Sequence, residues 1–429
     1  MNITWSANLS SVSKGSKLFE PFDMKLYETK LKEFYDLPST EKAKYKGADD
    51  YVVKNGGPQL CPLNYNYKKI YEETSKRLEN GSVPEVLLID FYMQNKLIDD
   101  LLCSLENEKH IREIYPKKKL MVKGNGGINT SEATILMECI RQGRSLLQAG
   151  KDADMLAKPL IHFYAASAYA YAIIVINSPL HKSIDSLRGS HGHVYNHKQS
   201  TIDFGGDTPC GTFIDLLGAI PVVHVKNNNI DLKYPLLTSI DLIQNNNISL
   251  SLLSLLSMVP ELSKFYSLYD KDHQSVHKLN IDTGIVNKNV TYNFYIGDGI
   301  NKPNLDKLKN AFKTENIVEN QGNFIVSVSE IDKINATIYQ DIKGDLWYVE
   351  SPINDLVLPE ISLHFLIISA LCNIMRYSPH EWNEILNNKV SSQFSLLVSE
   401  YIRLFEQKFP MLAVQYLTNY IPVLNISGQ

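Results

Sequence analysis

The feature that most constrains the fold is an uncharged stretch between Pro159 and Pro179, which reads PLIHFYAASAYAYAIIVINSP. A helix of this length is just long enough to cross a bilayer. The stretch is also rich in Ala and Tyr and contains His162 and Ser167, which are unfavourable in lipid. A helix that is apolar on all sides and lies outside a membrane must be surrounded by protein. We therefore predict a buried core helix and no membrane partner.

The composition is that of an ordinary globular protein. Hydrophobic residues make up 44% and charged residues 21% of the 429 positions, which argues against global disorder. The net charge of −4 offers no basic face of the kind that stable duplex DNA binding requires. The five cysteines stand singly, as is usual for reduced thiols. Residues 1–10 lack a secretory signal, so we expect a cytoplasmic protein.

Residue periodicity divides the chain into four regions and predicts an α+β, predominantly helical fold. Apolar residues spaced among charges predict an N-terminal helical region over 1–120 and a helical block over 121–224. Short strand-like runs separated by Gly, Asn and Asp predict a mainly β insertion over 225–350. Helical spacing returns over 351–429, which we expect to complete a helical bundle.

Capping residues and prolines predict several element boundaries. Residues 129–132 supply a helix cap and a carboxylate in the first turn. Residues 83–105 are predicted to be helical, and the sequence Ser-Pro-His-Glu at 378–381 has the form of a capping box. A later helix is expected to end at Pro410.

The densest group of reactive side chains lies around the turn from Leu187 to His193, which reads LRGSHGH. Its glycines make the backbone permissive, so that imidazoles near it can converge. Within seventeen residues the chain carries Arg188 and four histidines: His181, His191, His193 and His197.

A ribonuclease site is the first of three interpretations of this turn. Arg188 and His193 have the spacing Arg-x4-His. Cleavage of RNA by its own 2′-OH needs a histidine to move protons and a cation to stabilise the phosphorane charge. His191 and His197 are candidates for a supporting role in such a site.

The other two interpretations are a metal site and a structural turn. His191, His193 and His197 can ligate a metal from a strand or loop, with Asp185 or Asp203 as an oxygen ligand. In the structural interpretation, the same polar side chains only cap and order a glycine-rich turn.

A second Arg–His pair, Arg376 and His380, flanks the predicted capping box. Both residues are candidates for a supporting catalytic role. Alternatively, Arg376 only complements the dipole at the C-terminus of a helix, and His380 lies in an exposed first turn.

Several short motifs in the two helical blocks resemble the YaaC-like family of bacterial proteins. The motifs are Pro159–Ala165, Leu187–Gly192, Leu216–Pro221, Leu358–Glu360, His364–Leu366, Met375–Tyr377, Glu381–Trp382, Lys408–Pro410 and Gln415–Leu417. The resemblance identifies a family but implies no particular activity.

The helix that opens with an aromatic pair and leads to a histidine turn also resembles HEPN domains, which are helical bundles. This resemblance implies a metal-independent endoribonuclease without a cofactor, in which Arg188 binds phosphate and His193 transfers a proton. It further implies an RNA-targeting effector in bacterial antiphage defence that forms a homodimer or binds a partner subunit. The competing hypothesis is a non-catalytic interaction or scaffold subunit of a multi-protein complex.

Overall fold

A computed structural model describes most of the chain. The described residues are 24–45, 47–57, 85–90, 94–118, 128–178, 191–204, 211–220, 222–225, 230–233, 239–240, 242–243, 248–272, 275–286, 289–297, 301–331 and 334–425. Helices dominate and strands form the remainder of the regular structure. The α+β, predominantly helical class is therefore confirmed.

The N-terminal elements are mostly helical. They are α1 (Met24–Asp36), α2 (Ser39–Lys42), α3 (Ala48–Lys54), β1 (Glu85–Asp90), α4 (Gln94–Ser104) and α5 (Glu108–Lys118). Helices α1 and α3 pack on each other around Phe34 and Tyr51, whose ring centroids are 5.6 Å apart.

The central part combines two long helices with short strands and helices. Its elements are α6 (Thr130–Asp152), α7 (Lys158–Asn177), β2 (Val194–Asn196), β3 (Thr201–Asp203), α8 (Thr212–Gly218), β4 (Val222–Val225), β5 (Ile230–Lys233), β6 (Ser249–Ser251), α9 (Leu252–Ser257), a 3₁₀ turn (Pro260–Leu262) and α10 (Ser263–Tyr269). Strands β2, β3 and β6 form one antiparallel sheet, and β4 pairs with β5.

A six-stranded antiparallel sheet follows, with the strand order β11-β12-β7-β8-β10-β9. We call it, together with its helix, the sheet unit. Its elements are β7 (Val276–Val286), β8 (Asn289–Gly297), α11 (Leu305–Phe312), β9 (Ile317–Asn320), β10 (Asn323–Val328), β11 (Thr337–Gln340) and β12 (Leu346–Val349). Phe294, Phe312, Phe324 and other apolar side chains give the sheet unit an apolar core of its own.

The sheet unit lies within the predicted β insertion of 225–350. Residues 252–269 of the same region, however, do not pack against the sheet. Helices α9 and α10 and the 3₁₀ turn are helical, and their side chains Leu255, Leu262 and Tyr266 join the core of the helical body. The leucine-rich run therefore packs against helices and not against the sheet.

The C-terminal elements complete the helical body. They are α12 (Glu360–Tyr377), α13 (Pro379–Leu386), α14 (Ser392–Leu417) and β13 (Tyr420–Asn425). The predicted helix end at Pro410 is wrong, because α14 continues through it. The residues that follow, from Met411 to Leu417, are nearly all buried, and their burial outweighs the cost of about 3 kcal/mol for an internal proline.

The prediction of a helix over 83–105 is wrong for its first part, which forms strand β1. The first part of that region, Glu85 to Asp90, pairs in parallel with β13, from Glu85 with Tyr420 to Asp90 with Asn425. The partner strand lies more than 300 residues further along the chain. Local periodicity cannot report a pairing of that sequence separation.

The predicted core helix is confirmed as α7. Of its 20 residues, 14 are buried, and it packs against α6, α8, α12 and α14. In the described residues, α7 is long and apolar enough to cross a membrane, as are α12 and α13 if that bent pair is counted as one span. Most of α7 is buried inside the protein, as a core helix requires.

The contact between α6 and α7 depends on one glycine near the end of α6. The predicted cap at the N-terminus of α6 is confirmed, with Asn129 as the cap, and Glu132 completes a capping box. Near its other end, Gly150 faces the ring of His162, which is fully buried. A Cβ atom at position 150 would lie 2.5 Å from Nδ1 of His162. The ring cannot retreat easily, because its Nε2 lies 3.0 Å from Oε1 of Glu406.

We predict that Gly150→Ala lowers the free energy of unfolding by about 2 kcal/mol, because overpacking outweighs a helix-propensity gain of about 1 kcal/mol. Gly143→Ala, in the same helix, is the matched control. Its Cβ would lie 3.1 Å from ring carbons of Tyr169, so a small shift relieves the contact. Urea denaturation of both variants gives the comparison, and equal effects would contradict the proposed clash.

Candidate functional site

The C-terminal end of α12 lies beside residues 191–197 and brings together four of the side chains that the sequence singled out. They are His191, His193, His197 and Arg376, which we call the histidine–arginine cluster. Hydrogen bonds join His193 to Ser369 within α12 and His197 to Ser378 directly after it, and the charge of Arg376 acts on His191. Residues almost 200 positions apart therefore form one site.

His193 has partners on both ring nitrogens. Its Nδ1 lies 3.1 Å from the carbonyl oxygen of His191, and its Nε2 lies 2.8 Å from Oγ of Ser369 in α12. Because a carbonyl oxygen can only accept, Nδ1 carries the proton, and Nε2 of the neutral ring accepts from the serine hydroxyl. Three phenylalanine rings surround this imidazole at centroid distances of 6.0 to 6.2 Å: Phe204, Phe213 and Phe365.

This environment keeps the imidazole of His193 neutral. Burial lowers the pKa of His193 to about 3, and the neighbouring His191 lowers it further. A proton donor that works near neutral pH needs a pKa close to the working pH. The geometry therefore gives His193 the role of fixing the backbone at His191.

His191 is half-buried and stands between the core and the surface. Its ring meets Phe163 edge-on at 4.9 Å, and its carbonyl oxygen also accepts from the backbone N–H of Phe213 at 3.1 Å. Burial lowers the pKa of His191, and the positive charge of Arg376 adds to this effect. The charge of Arg376 is therefore felt at the His191 imidazole.

Arg376 and Tyr377 form the exposed side of the cluster. The guanidinium lies over the ring of Tyr377, 4.9 Å from its centroid, and it hydrogen-bonds to the thiol of Cys372. The Tyr377 side chain is 61% exposed. Because Arg376 lies in the last turn of α12, the negative end of the helix dipole favours its charge.

His197 is held by the residue at which α12 ends. Its Nδ1 lies 3.0 Å from Oγ of Ser378, and its ring meets those of Tyr195 and Tyr377 edge-on. The predicted capping box at 378–381 is wrong, because Ser378 makes no side-chain cap to α13. The serine hydroxyl bonds to His197 instead, and this interaction crosses between distant parts of the chain.

Another predicted site residue, His380, does not join the cluster. His380 is 87% exposed and has Glu384, on its own helix, at 3.7 Å. Arg188 and His181 lie outside the described residues, so the pairing of Arg188 with His193 stays a prediction.

A metal ion finds no ready site in the described residues. There, no three His, Cys, Asp or Glu side chains stand close enough to hold one. The carboxylate of Asp203 accepts from Thr201 Oγ1 at 2.7 Å and from Asn196 Nδ2 at 3.0 Å. Asp185, the other predicted oxygen ligand, lies outside the described residues.

Sequence reasoning missed Ser369, Tyr377 and Ser378 as site residues. Ser369 is a buried polar residue between apolar residues of α12, and buried polar groups usually make a specific hydrogen bond. Tyr377 and Ser378 gave no signal of their own, because their role depends on the distant His197.

A comparison with protein families gives one match. A family model described as YaaC-like Protein matches residues 103–417. No curated protein and no solved structure matches the chain. The matched range includes every member of the histidine–arginine cluster.

We predict that His193 makes the protein less stable at mildly acidic pH. The unfolded imidazole has a pKa of 6.5 and the folded one a pKa of about 3. The unfolded state therefore binds a proton that the folded state rejects, and stability is lost as the pH falls below 6.5. Between pH 7 and pH 5 this contribution amounts to about 2 kcal/mol.

The measurement is urea denaturation at pH 7 and pH 5. In His193→Gln, the loss between the two pH values should shrink by about 2 kcal/mol. His380→Gln, which replaces an exposed imidazole, should leave the loss unchanged. The assignment is wrong if both variants show the wild-type difference.

Proposed function

The chain belongs to the YaaC-like protein family, and we propose that it is an RNA-targeting effector whose RNA site is the histidine–arginine cluster. The observation that carries the proposal is the position of Arg376. Its exposed guanidinium stands beside an exposed aromatic ring and acts electrostatically on a half-buried histidine. A cation, an aromatic ring and imidazoles on one surface are the groups that recognise a phosphate and an unpaired base.

Each group has a distinct task in this proposal. Arg376 binds a backbone phosphate, because a guanidinium offers several donors to phosphate oxygens. Tyr377 offers a face on which a base can stack. His197 is the proton-transfer group, since its ring lies beside Tyr377 at the surface, and Ser378 orients it through Nδ1.

The HEPN-like interpretation is the finer form of the proposal. In that form the protein is a metal-independent endoribonuclease, acts in bacterial antiphage defence, and forms a homodimer or binds a partner subunit. Arg188 is then a second phosphate contact. The resemblance gives the proton transfer to His193, but because both of its nitrogens are bonded, we assign that transfer to His197 and an orienting role to His193.

A second candidate function is a non-catalytic interaction subunit, and one observation favours it. Strand β9 forms an edge of the sheet unit; Val318, Glu319 and Asn320 in it are exposed, and Val318 reaches 62%. An edge strand with an exposed apolar side chain can pair with a strand of another protein. This function needs no chemistry at the histidine–arginine cluster.

RNA binding provides the test of the main proposal. We predict that Arg376→Ala weakens binding of a labelled single-stranded RNA at least tenfold at a fixed salt concentration, because a charge-assisted contact is lost. Arg403→Ala is the control, because Arg403 is an exposed arginine on α14 that pairs with Glu400. Fluorescence anisotropy gives both affinities. Absence of RNA binding, or equal loss in the two variants, would rule out this site.

Cleavage is measured separately, on the same RNA in the presence of EDTA. If the protein is the proposed nuclease, His197→Ala should slow cleavage by about 10²- to 10⁴-fold, as loss of a general acid or base does, with little change in affinity. Arg188→Ala and His193→Ala test the pair implied by the HEPN resemblance. Binding without cleavage in the wild type would leave an RNA-binding protein and remove the nuclease from the proposal.

A further inference from the structure

Three charged side chains meet in the interior, far from the histidine–arginine cluster. The Nζ atom of Lys408 in α14 lies 3.0 Å from Oε1 of Glu261 and 3.0 Å from Oε1 of Glu360. Lys408 is 3% exposed, and both carboxylates are also nearly enclosed. We call these three residues the Lys408 cluster. Nothing that follows rests on the proposed function.

The Lys408 cluster hydrogen-bonds to the turn between β11 and β12 of the sheet unit. Lys408 donates to the carbonyl oxygen of Gln340, and Glu261 accepts from the backbone N–H of Ile342 at 3.0 Å. The carbonyl oxygen of Ile342 in turn accepts from the N–H of Leu424 in β13 at 2.8 Å. The turn is therefore held by α14, by the 3₁₀ turn that carries Glu261, and by β13.

The charges of the cluster do not balance. One ammonium faces two carboxylates, so full ionisation would leave an excess negative charge in the interior. An excess buried charge costs several kcal/mol, and a protein avoids this cost by retaining a proton. The geometry thus requires that one carboxyl group stays protonated while the turn is docked.

We propose that the Lys408 cluster is a proton-dependent latch, which holds the β11–β12 turn while Glu360 is protonated and releases it when Glu360 ionises. Glu261 is the ionised partner, because it accepts hydrogen bonds from both Lys408 and Ile342. Glu360 has the ammonium as its charged neighbour and sits at the start of α12.

The groups around Glu360 support this assignment. Burial raises the pKa of Glu360 to about 8, and Glu261 and Asp341 raise it while Lys408 opposes them. Burial also disfavours the charge on Lys408, but the two carboxylates outweigh burial and raise the pKa of this lysine. The other titratable neighbours are neutral near pH 8: burial raises the pKa of Tyr339 and Tyr416 and lowers that of His364 to about 3.

The direction of the pH effect follows from these shifts. The carboxyl of Glu360 holds its proton more tightly in the folded protein than in the unfolded chain, where its pKa is 4.5. The contribution of Glu360 to stability is fully present below pH 4.5. It falls as the pH rises further, until the folded carboxyl group itself ionises near pH 8. Between these two pKa values, release of the turn is coupled to the loss of one proton from Glu360, and above pH 8 the pH dependence levels off.

Motifs of the family resemblance converge at this place. Glu360, His364, Lys408 and Tyr416 belong to four of the motifs that were quoted for it. His364 is joined to α14 by the contact of its Nδ1 with the hydroxyl of Tyr401 at 3.3 Å. These motif residues therefore build an interior junction and not a surface site.

Hydrogen exchange of the full chain tests the latch, because the Ile342 amide donates to Glu261. After correction for intrinsic exchange, we predict that protection of a peptide covering 339–347 falls about tenfold between pH 7 and pH 9, as one released proton with a pKa of about 8 requires. In Glu360→Gln this fall should disappear, because the amide cannot ionise. A wild-type protein without the fall, or a Glu360→Gln protein that keeps it, would overturn the proposal.

Two further variants keep the test decisive. Glu261→Gln leaves one ammonium with one carboxylate, so Glu360 ionises at lower pH and the fall between pH 7 and pH 9 should again disappear. Glu406→Gln is the matched control: Glu406 is a partly buried carboxylate on α14 that pairs with Lys158, and it should keep the fall. The latch would be contradicted if protection of the 339–347 peptide still fell between pH 7 and pH 9 in Glu261→Gln, or if it no longer fell in Glu406→Gln.

Discussion

The architecture depends on the fact that α7 has no polar face. A helix that is apolar all round is stable in water only when other elements enclose it. Here α6, α8, α12 and α14 supply this enclosure, although they come from regions separated by the whole sheet unit. The burial of α7 therefore forces the two helical blocks into one body and makes the sheet unit an insertion between them. It also fixes which ends of α12 and α14 meet other parts of the chain.

Such a dry interior constrains every polar group that enters it. Nε2 of His162 on α7 pairs with Glu406, and Nε2 of His193 pairs with Ser369. In both cases the partner lies on α12 or α14, the two helices that enclose α7 from the C-terminal block. The polar groups of the core are therefore paired by residues on helices from distant parts of the sequence. An unpaired polar group here would cost about 1 to 3 kcal/mol, which makes these pairs specific determinants of how the blocks align.

Sequence patterns predicted those parts of the fold that depend on near neighbours. The core helix, the helix cap at residues 129–132 and the strands around Phe294, Phe324 and Tyr348 follow from local sequence signals and were recovered. The errors at β1 and Pro410 have one cause, which is that distant packing overrode a local signal. The candidate site shows the same limit. Histidines 191 to 197 were visible as a group, but the hydroxyls that orient them and the guanidinium beside them came from α12. No spacing rule connects residues so far apart.

Helix α12 carries a carboxyl group in its first turn and a guanidinium in its last, and the charge of the guanidinium suits the helix dipole. Their surroundings give them opposite roles. Glu360 is enclosed with Lys408, so its proton is held tightly, whereas Arg376 faces solvent beside the ring of Tyr377. Sixteen residues separate them, or about 24 Å along the axis. This exceeds the screening length of about 8 Å at physiological salt, so direct electrostatic coupling between the two ends is weak. Any influence of the Lys408 cluster on the histidine–arginine cluster must pass through a movement of α12, which its close packing against α7 resists.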